Sequence, residues 1–440
     1  MKKHIKLFFG FVAIICICAV IFELHNNNKY NISFKINSIK YTLIYKGMNN
    51  IRDFTMDENG NYYAAYKDRI EFVDKNGKGY NILKDSGLNI YSIEYHDGKL
   101  YYSTLYKICS FDLKSKKTST LIENIPNYGD YKNVLLKIKN GYLYASIGAA
   151  TNSAVVGKDN SWLVQYPYGH DITPKKITLK GINFGDNKTG AFVPYSTSNI
   201  AGQIVTAHFP GNASVIIYNI HTGDCETFAW GIRNIKGMDF NNEGKLIATI
   251  GGMEDRGLRP VTGDSDYIYK IDKGKWYGWP DYSGGDPINS PKFSNGTKQK
   301  TLLDKHPTTN PPAPLYVYEN LNTLGSLAVD NNNIFGDKSC IYFYVSKEKK
   351  IVELNSLGFI SDFAFFPKDS NITSMKFINN KLYVIDSAKG YFIGIEKTKD
   401  ASLIQLNSIS VKYILLGVLS AIMGIVIILI KDRLQRVKKS

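Results

Sequence analysis

A chain of 440 residues with 54 Lys and Arg against 39 Asp and Glu carries a formal charge of +15, which first raises the question of a polyanionic partner. Three lysines within residues 1–6, and five basic residues against one acidic residue within 431–440, supply seven of the fifteen charges. The remaining eight are spread over everything between and make too weak a field for a nucleic-acid footprint.

The first predicted element is residues 1–24. Lys2, Lys3 and Lys6 precede an apolar run over 7–22, the layout of an export signal or signal anchor. Glu23, Leu24, His25 and an Asn-rich stretch follow with no small-residue cleavage pattern, which favours an uncleaved transmembrane anchor over a cleaved signal peptide. Cys16 and Cys18 fall in this run, and Cys109, Cys225 and Cys340 lie far apart beyond it, so neither a disulfide framework nor a zinc site is expected.

From 31 to 400 the chain shows few helical periods and many short strands rich in Tyr and Phe, bounded by turn residues. One phrase repeats: NGNYYAAY from residue 59, DGKLYYST from 97, NGYLYASI from 140, EGKLIATI from 243, KSCIYFYV from 338 and NNKLYVID from 379. Most copies begin with a tight Asn, Asp or Gly turn and run into an aromatic-rich strand. Several are followed by a second strand ending in a charged turn, as in RIEFVDKNGK, ICSFDLKSKK, YIYKIDKGK and KIVELNSLG. Recurring strand pairs at this spacing predict an all-β, six-bladed β-propeller with long loops. A seventh blade stays open, because AGQIVTAHFPGNASVIIYNIHTGD from 201 is a further strand pair without the lead-in.

The last element is 411–430, within which residues 413–430 carry no charge and are long enough to cross a bilayer as a helix. A basic tail, 431–440, follows. Basic flanks on the terminal side of both apolar runs predict two transmembrane helices, cytoplasmic termini and a large domain outside the cytoplasm, in a two-pass protein of the cell membrane. Besides the membrane, a sugar or cell-envelope carbohydrate is the expected partner, and nucleic acid is not.

Four phrases carry more specific information: LYASIGAATNSAVVG from 143, FAWGIRNIKGMDF from 228, GGMEDRGLRPVTGDSDYIYKI from 251 and KWYGWPD from 275. In this order and spacing they resemble the glucose/sorbosone dehydrogenase family, six-bladed propellers that oxidise sugars with pyrroloquinoline quinone (PQQ). The resemblance implies that Arg233 and Asn234 face a cofactor pocket, where a planar cation and an amide would grip a carboxylated quinone or a sugar hydroxyl. Lys236 stands where the family often has Gln. Lys347 and Lys349 of the fifth blade are placed to supply the family's lysine. Glu254, Asp255, Asp264 and Asp266 form a hard-oxygen set of the kind that holds calcium, and the resemblance points to a calcium loop here. Arg256 and Arg259 in the same loop leave internal salt bridges as the alternative. Trp276, Tyr277, Trp279 and Pro280 read as packing at a blade junction.

Two departures bear on activity. The family's general base is a His shortly before the third strand phrase, where this chain has Asp130, Tyr131 and Lys132. Tyr131, or the later His170 in PYGHDITPKK, is the candidate replacement. The lead-in to the last blade, KDSNITSMKF, lacks the family's arginine. Two functions therefore remain in view: PQQ- and calcium-dependent oxidation of an aldose, or a catalytically degenerate propeller that binds carbohydrate, an envelope polymer or a protein.

Overall fold

The computed structural model describes residues 30–294 and 298–398, together with scattered helical positions between 419 and 437. Its strands form six antiparallel sheets of four or five strands each. The innermost strands are Asp53–Met56, Ser92–His96, Leu136–Lys139, Ile235–Phe240, Leu324–Asp330 and Ile372–Ile378, and they number the blades one to six. Each repeated sequence phrase is the second strand of a blade: Tyr62–Ala65, Lys99–Ser103, Tyr142–Ile147, Leu246–Ile250, Cys340–Val345 and Lys381–Asp386.

Burial explains the composition of these strands. Leu246–Ile250 and Cys340–Val345 are buried along their whole length, so both faces need apolar or aromatic side chains. The outermost Gly79–Lys84 and Thr118–Ile122 are mostly exposed and read as polar. The turns are equally local in origin. Asp57 Oδ1 accepts the backbone N–H of Asn59 and Asn61 at 3.0 and 2.9 Å, and Asn241 Oδ1 accepts those of Glu243 and Lys245 at 3.1 and 2.9 Å. An Asx side chain thus closes the hairpin, and a glycine such as Gly60 (φ 80°) supplies the left-handed residue.

The sequence from 201 is not a seventh blade. Its strand Ser214–Asn219 pairs with Tyr142–Ile147 as the third strand of blade three, and Cys225–Trp230 is the fourth. The intervening residues 148–213 are an insertion that holds a short ladder, Ile177–Thr178 with Ile204–Val205, and a 3-10 turn, Ser161–Val164. Strand-pair counting had no means of seeing that one blade was interrupted.

The ring closes through its N-terminal residues. Ile39–Tyr45 is the outermost strand of blade six, beside Tyr391–Lys397, while Ser33–Phe34 pairs with Ile360–Phe365 at the edge of blade five. Closure covers sheet edges that would otherwise template association. The starts of all six innermost strands converge on a cavity of ≈ 40 Å³, lined among others by Asp53, Ser92, Leu136, Lys236, Ser326 and Ser374. Charges alternate around it. Lys376 Nζ lies 3.3 Å from Asp53 and 3.0 Å from Glu94, and Lys137 Nζ lies 3.8 Å from Glu94 and 3.3 Å from Asp239. Asp239 Oδ2 in turn accepts the Val329 N–H at 3.0 Å, so the chain of polar links touches every blade.

Among the described residues, 36–40 and 397–398 belong to a second unit, in which Thr398 N and Oγ1 donate to Ser38 O at 2.7 and 2.9 Å. Leu419, Ile422, Val426, Leu429 and Ile430 are helical. The spans expected over 1–24 and 411–430 otherwise lie outside the described residues, and among those no helix is long and apolar enough to cross a membrane.

Candidate functional site

The site begins with the turn Gly231–Ile232–Arg233–Asn234 between blades three and four. Gly231 has φ 69°, and a Cβ there would lie 2.4 Å from the Trp276 ring, so the position tolerates only glycine. The second aromatic motif clamps this turn. Tyr277 N donates to Trp230 O at 2.8 Å, Trp279 N to Gly231 O at 3.0 Å and Trp279 Nε1 to Asn152 O at 3.1 Å. Trp276, Tyr277 and Trp279 are all buried. The two motifs that carry the family resemblance are thus two halves of one blade junction.

Arg233 is 3% exposed, and each of its five N–H groups has a protein acceptor. Nε donates to Asn152 O at 3.1 Å, and Nη1 to Gly251 O at 3.2 Å and to Gly252 O. Nη2 donates to Asn152 Oδ1 at 2.8 Å, Glu254 Oε1 at 3.0 Å and the Tyr131 hydroxyl. Burial pushes its pKa down to about 10 against the pull of Glu254. A second guanidinium completes the cluster. Arg256 donates to Glu254 Oε2 at 2.6 Å, Asp159 at 2.6 Å, Asp130 at 2.7 Å and the Tyr131 hydroxyl at 3.0 Å. Burial works against its charge, but Asp130 and Glu254 outweigh it and hold the pKa above the ordinary value. Tyr131 donates onward to Glu254 Oε1 at 3.1 Å.

Tyr131, Arg233 and Glu254 are therefore brought together. Asp130 and Arg256 belong with them, Arg256 forming the internal salt bridges offered as the alternative to calcium, and so does Asn152, which was not singled out from the sequence. Asn152 is the hub: besides receiving Arg233, its Oδ1 accepts the Glu254 N–H at 2.7 Å and its Nδ2 donates to Glu254 O at 2.7 Å. Its signal was its place in LYASIGAATNSAVVG, the first of the four motifs. His170 lies elsewhere, with its ring Nδ1 3.0 Å from Tyr168 O and its backbone held by the Tyr128 hydroxyl.

The acidic set expected to hold calcium does not converge, and among the described residues no group of three or more His, Cys, Asp or Glu is placed to hold a metal. Glu254 is taken by two arginines. Asp264 accepts Met253 N at 2.6 Å, Ser265 N at 2.8 Å and the Tyr267 hydroxyl at 2.5 Å. Asp266 caps the entry to blade five, accepting from Asn322, Thr323 and Leu324 N–H at 3.1, 2.7 and 2.9 Å. Asp255 is exposed. Arg259 pairs with Asp281 at 2.9 Å, both side chains fully buried.

A different set of polar atoms stays open. Asn234 and Lys236 both lie over Gly251, where a Cβ would be 3.2 Å from Lys236 Cε and 3.3 Å from Asn234 Nδ2. Neither side chain has a hydrogen-bond or ion-pair partner among the described residues, although Asn234 is 6% exposed and Lys236 half-buried. Burial lowers the pKa of Lys236 and, with Arg233 and Lys347, outweighs the attraction of Asp266 and Glu254. Lys347 Nζ donates to Leu321 O at 2.8 Å and is exposed, and Lys349 occupies the hairpin turn with φ 53°. On the Trp279 side of Arg233 the space is ≈ 20 Å³, room for little more than a water, and Lys236 instead lines the central cavity of ≈ 40 Å³.

Comparison with known proteins follows these features. Residues 182–350 match the family model described as Glucose / Sorbosone dehydrogenase. The PQQ domain of a pyranose dehydrogenase from Coprinopsis cinerea, in its holo form, is 12% identical, with a TM-score of 0.56 over 84% of this chain and 98% of that one. The calcium structure of a Trichoderma reesei carbohydrate-active enzyme of family AA12 gives 13% and 0.55 over 82% and 96%. The PQQ-bound aldose sugar dehydrogenase of Streptomyces coelicolor gives 12% and 0.51 over 84% and 98%. A search of curated proteins gave no match. At these identities the structural likeness speaks for the fold, while the match over 182–350 spans the turn that holds Arg233 and its neighbours. The chain is a six-bladed β-propeller of the kind found in PQQ-dependent sugar dehydrogenases, and its residues 182–350 bear out the resemblance to the glucose/sorbosone dehydrogenase family.

Proposed function

We propose that the chain is a membrane-anchored, sugar dehydrogenase-like protein whose extracytoplasmic propeller binds an anionic quinone such as PQQ beside the central cavity and oxidises an aldose there. The observation that carries this reading is the pair of open polar groups, Lys236 and Asn234, over Gly251. A half-buried ammonium without a carboxylate is unfavourable until an anion arrives, and a carboxylated quinone supplies one. Lys236 would take a carboxylate, Asn234 a carbonyl or carboxylate oxygen, and Lys347 would add positive potential. When bound, the quinone supplies a two-electron acceptor. Arg233 serves as a positioning residue: with all its N–H groups committed, it fixes Asn152 and the Gly251–Gly252 carbonyls instead of gripping the ligand directly.

The residues present do not fit calcium, because Glu254, Asp264 and Asp266 spend their oxygens on arginines and backbone N–H groups. No step is assigned to a metal.

A second reading, binding without appreciable turnover, is favoured by Tyr131. Its hydroxyl faces two guanidiniums and Glu254, and Glu254 is itself paired with both arginines. A carboxylate so held is a poor proton acceptor. Quinone titration followed by dye reduction over a panel of aldoses separates the two readings. Binding with reduction supports the enzyme, and binding without reduction supports the binder. If replacing Tyr131 by His then restores turnover, the missing base is the cause.

A further inference from the structure

We propose that Lys236 is a carbonyl-reactive amine, and that the cleft over Gly251 takes an anionic aldehyde or ketone and joins it to Lys236 Nζ as a reversible imine. The proposal uses the same cleft as the quinone reading but does not depend on quinone redox chemistry.

Three other buried or partly buried lysines are neutralised by carboxylates. Lys376 has Asp53 and Glu94, Lys137 has Glu94 and Asp239, and Lys350 has Glu348 and Asp362 at 2.6 and 2.8 Å. Lys236 has none. Asp266 and Glu254 attract its charge without forming an ion pair with it, since Asp266 is bonded to backbone N–H groups and Glu254 to two guanidiniums, and burial outweighs that attraction. On its other sides are cations and an amide: Arg233 Nη1 and Asn234 Nδ2 converge with Lys236 Cε on the bare Cα of Gly251. A lysine that is desolvated beside other cations keeps a larger share of neutral amine, which is the nucleophilic form. Burial and the charges of Arg233 and Lys347 act in that direction here.

The chemistry balances without an oxidant. The amine lone pair forms the C–N bond and the carbonyl π pair moves to oxygen, which takes up a proton. The nitrogen then loses its second proton, and the oxygen leaves as water. An anionic group on the ligand engages Asn234 and Lys347, so the carbonyl is presented to Nζ.

The test uses the full-length chain with pyridoxal 5′-phosphate at pH 7.5, borohydride reduction and peptide mapping by mass spectrometry. We expect Lys236 to be labelled several-fold more than exposed lysines such as Lys158 and Lys175, because burial and the neighbouring cations favour its neutral amine. The rate of labelling at Lys236 should level off at a pH below the ordinary lysine range. Lys236→Arg, which keeps the charge, should abolish the label at that peptide and leave the rest of the map unchanged. Equal labelling of Lys236 and the exposed lysines in the wild type would overturn the proposal, and this comparison requires no variant. A chain that labels selectively but binds no quinone keeps this proposal and loses the quinone reading. A chain that binds quinone but labels without preference does the reverse.

Discussion

Asp171 offers a sharp test of how the site is held. Its carboxylate is 1% exposed and accepts the Ala150 N–H and the Thr151 hydroxyl, both at 2.6 Å, with no cation bonded to it. These bonds fix the two residues before Asn152, the hub of the Arg233 cluster. Burial raises the pKa to about 7 from 3.8, against the lowering effect of the two hydrogen bonds. Between those values the folded state holds a proton that the unfolded state has released. Stability from this group is therefore fully present below about pH 3.8, declines as pH rises, and is lost above about 7. At 1.36 kcal/mol per unit the change is on the order of 4 kcal/mol. Asp171→Asn removes the titration, its amide oxygen taking one donor and its NH₂ facing the Thr151 oxygen. Urea unfolding of both chains between pH 5 and 8, followed by tryptophan fluorescence, should show the wild type losing stability relative to the variant as pH rises. Parallel curves would refute the assignment.

Other consequences follow from the same geometry. Arg233→Lys keeps the charge but cannot supply five N–H groups, leaving Asn152 and Glu254 partly unpaired; a loss of about 3 kcal/mol in denaturant unfolding is expected, and a loss under 1 kcal/mol would contradict the clamp. Deleting residues 30–45 removes the outermost strand of blade six and the edge strand of blade five, so the chain should aggregate or unfold without a cooperative transition. A sharp, unchanged transition would show that closure does not need them. For the proposed topology, a cysteine-specific impermeant reagent applied to intact cells should label Asn59→Cys and spare Lys438→Cys; labelling of the latter from outside would defeat the two-pass model.

Much of the fold was legible because the second strand of every blade is buried and follows an Asn, Asp or Ser-bearing hairpin turn, which forces a repeated aromatic phrase onto the sequence. The insertion over 148–213 was not legible, since the strand pair it splits sets opposite each other residues such as Tyr144 and Ile217 that share no local pattern. In the site, the Arg233 turn was found through its flanking motifs. Its inward orientation was not, because the acceptors on Asn152 and Gly252 come from other loops. The acidic residues looked like a ligand set only by proximity in sequence; Asp266 instead spans to Thr323 to seal the next blade. That Lys236 was left without a partner depends on where Asp266 and Glu254 are committed, which no spacing reveals.

The most direct test of the central claim is a PQQ titration of the full-length chain, read by fluorescence quenching, for wild type and Lys236→Met, with and without a calcium chelator. The account predicts saturable binding that weakens about tenfold or more in the variant, equivalent to about 1.4 kcal/mol for one charge-assisted contact, and that is insensitive to the chelator. Absence of saturable binding, or binding indifferent to Lys236 and abolished by the chelator, would contradict it.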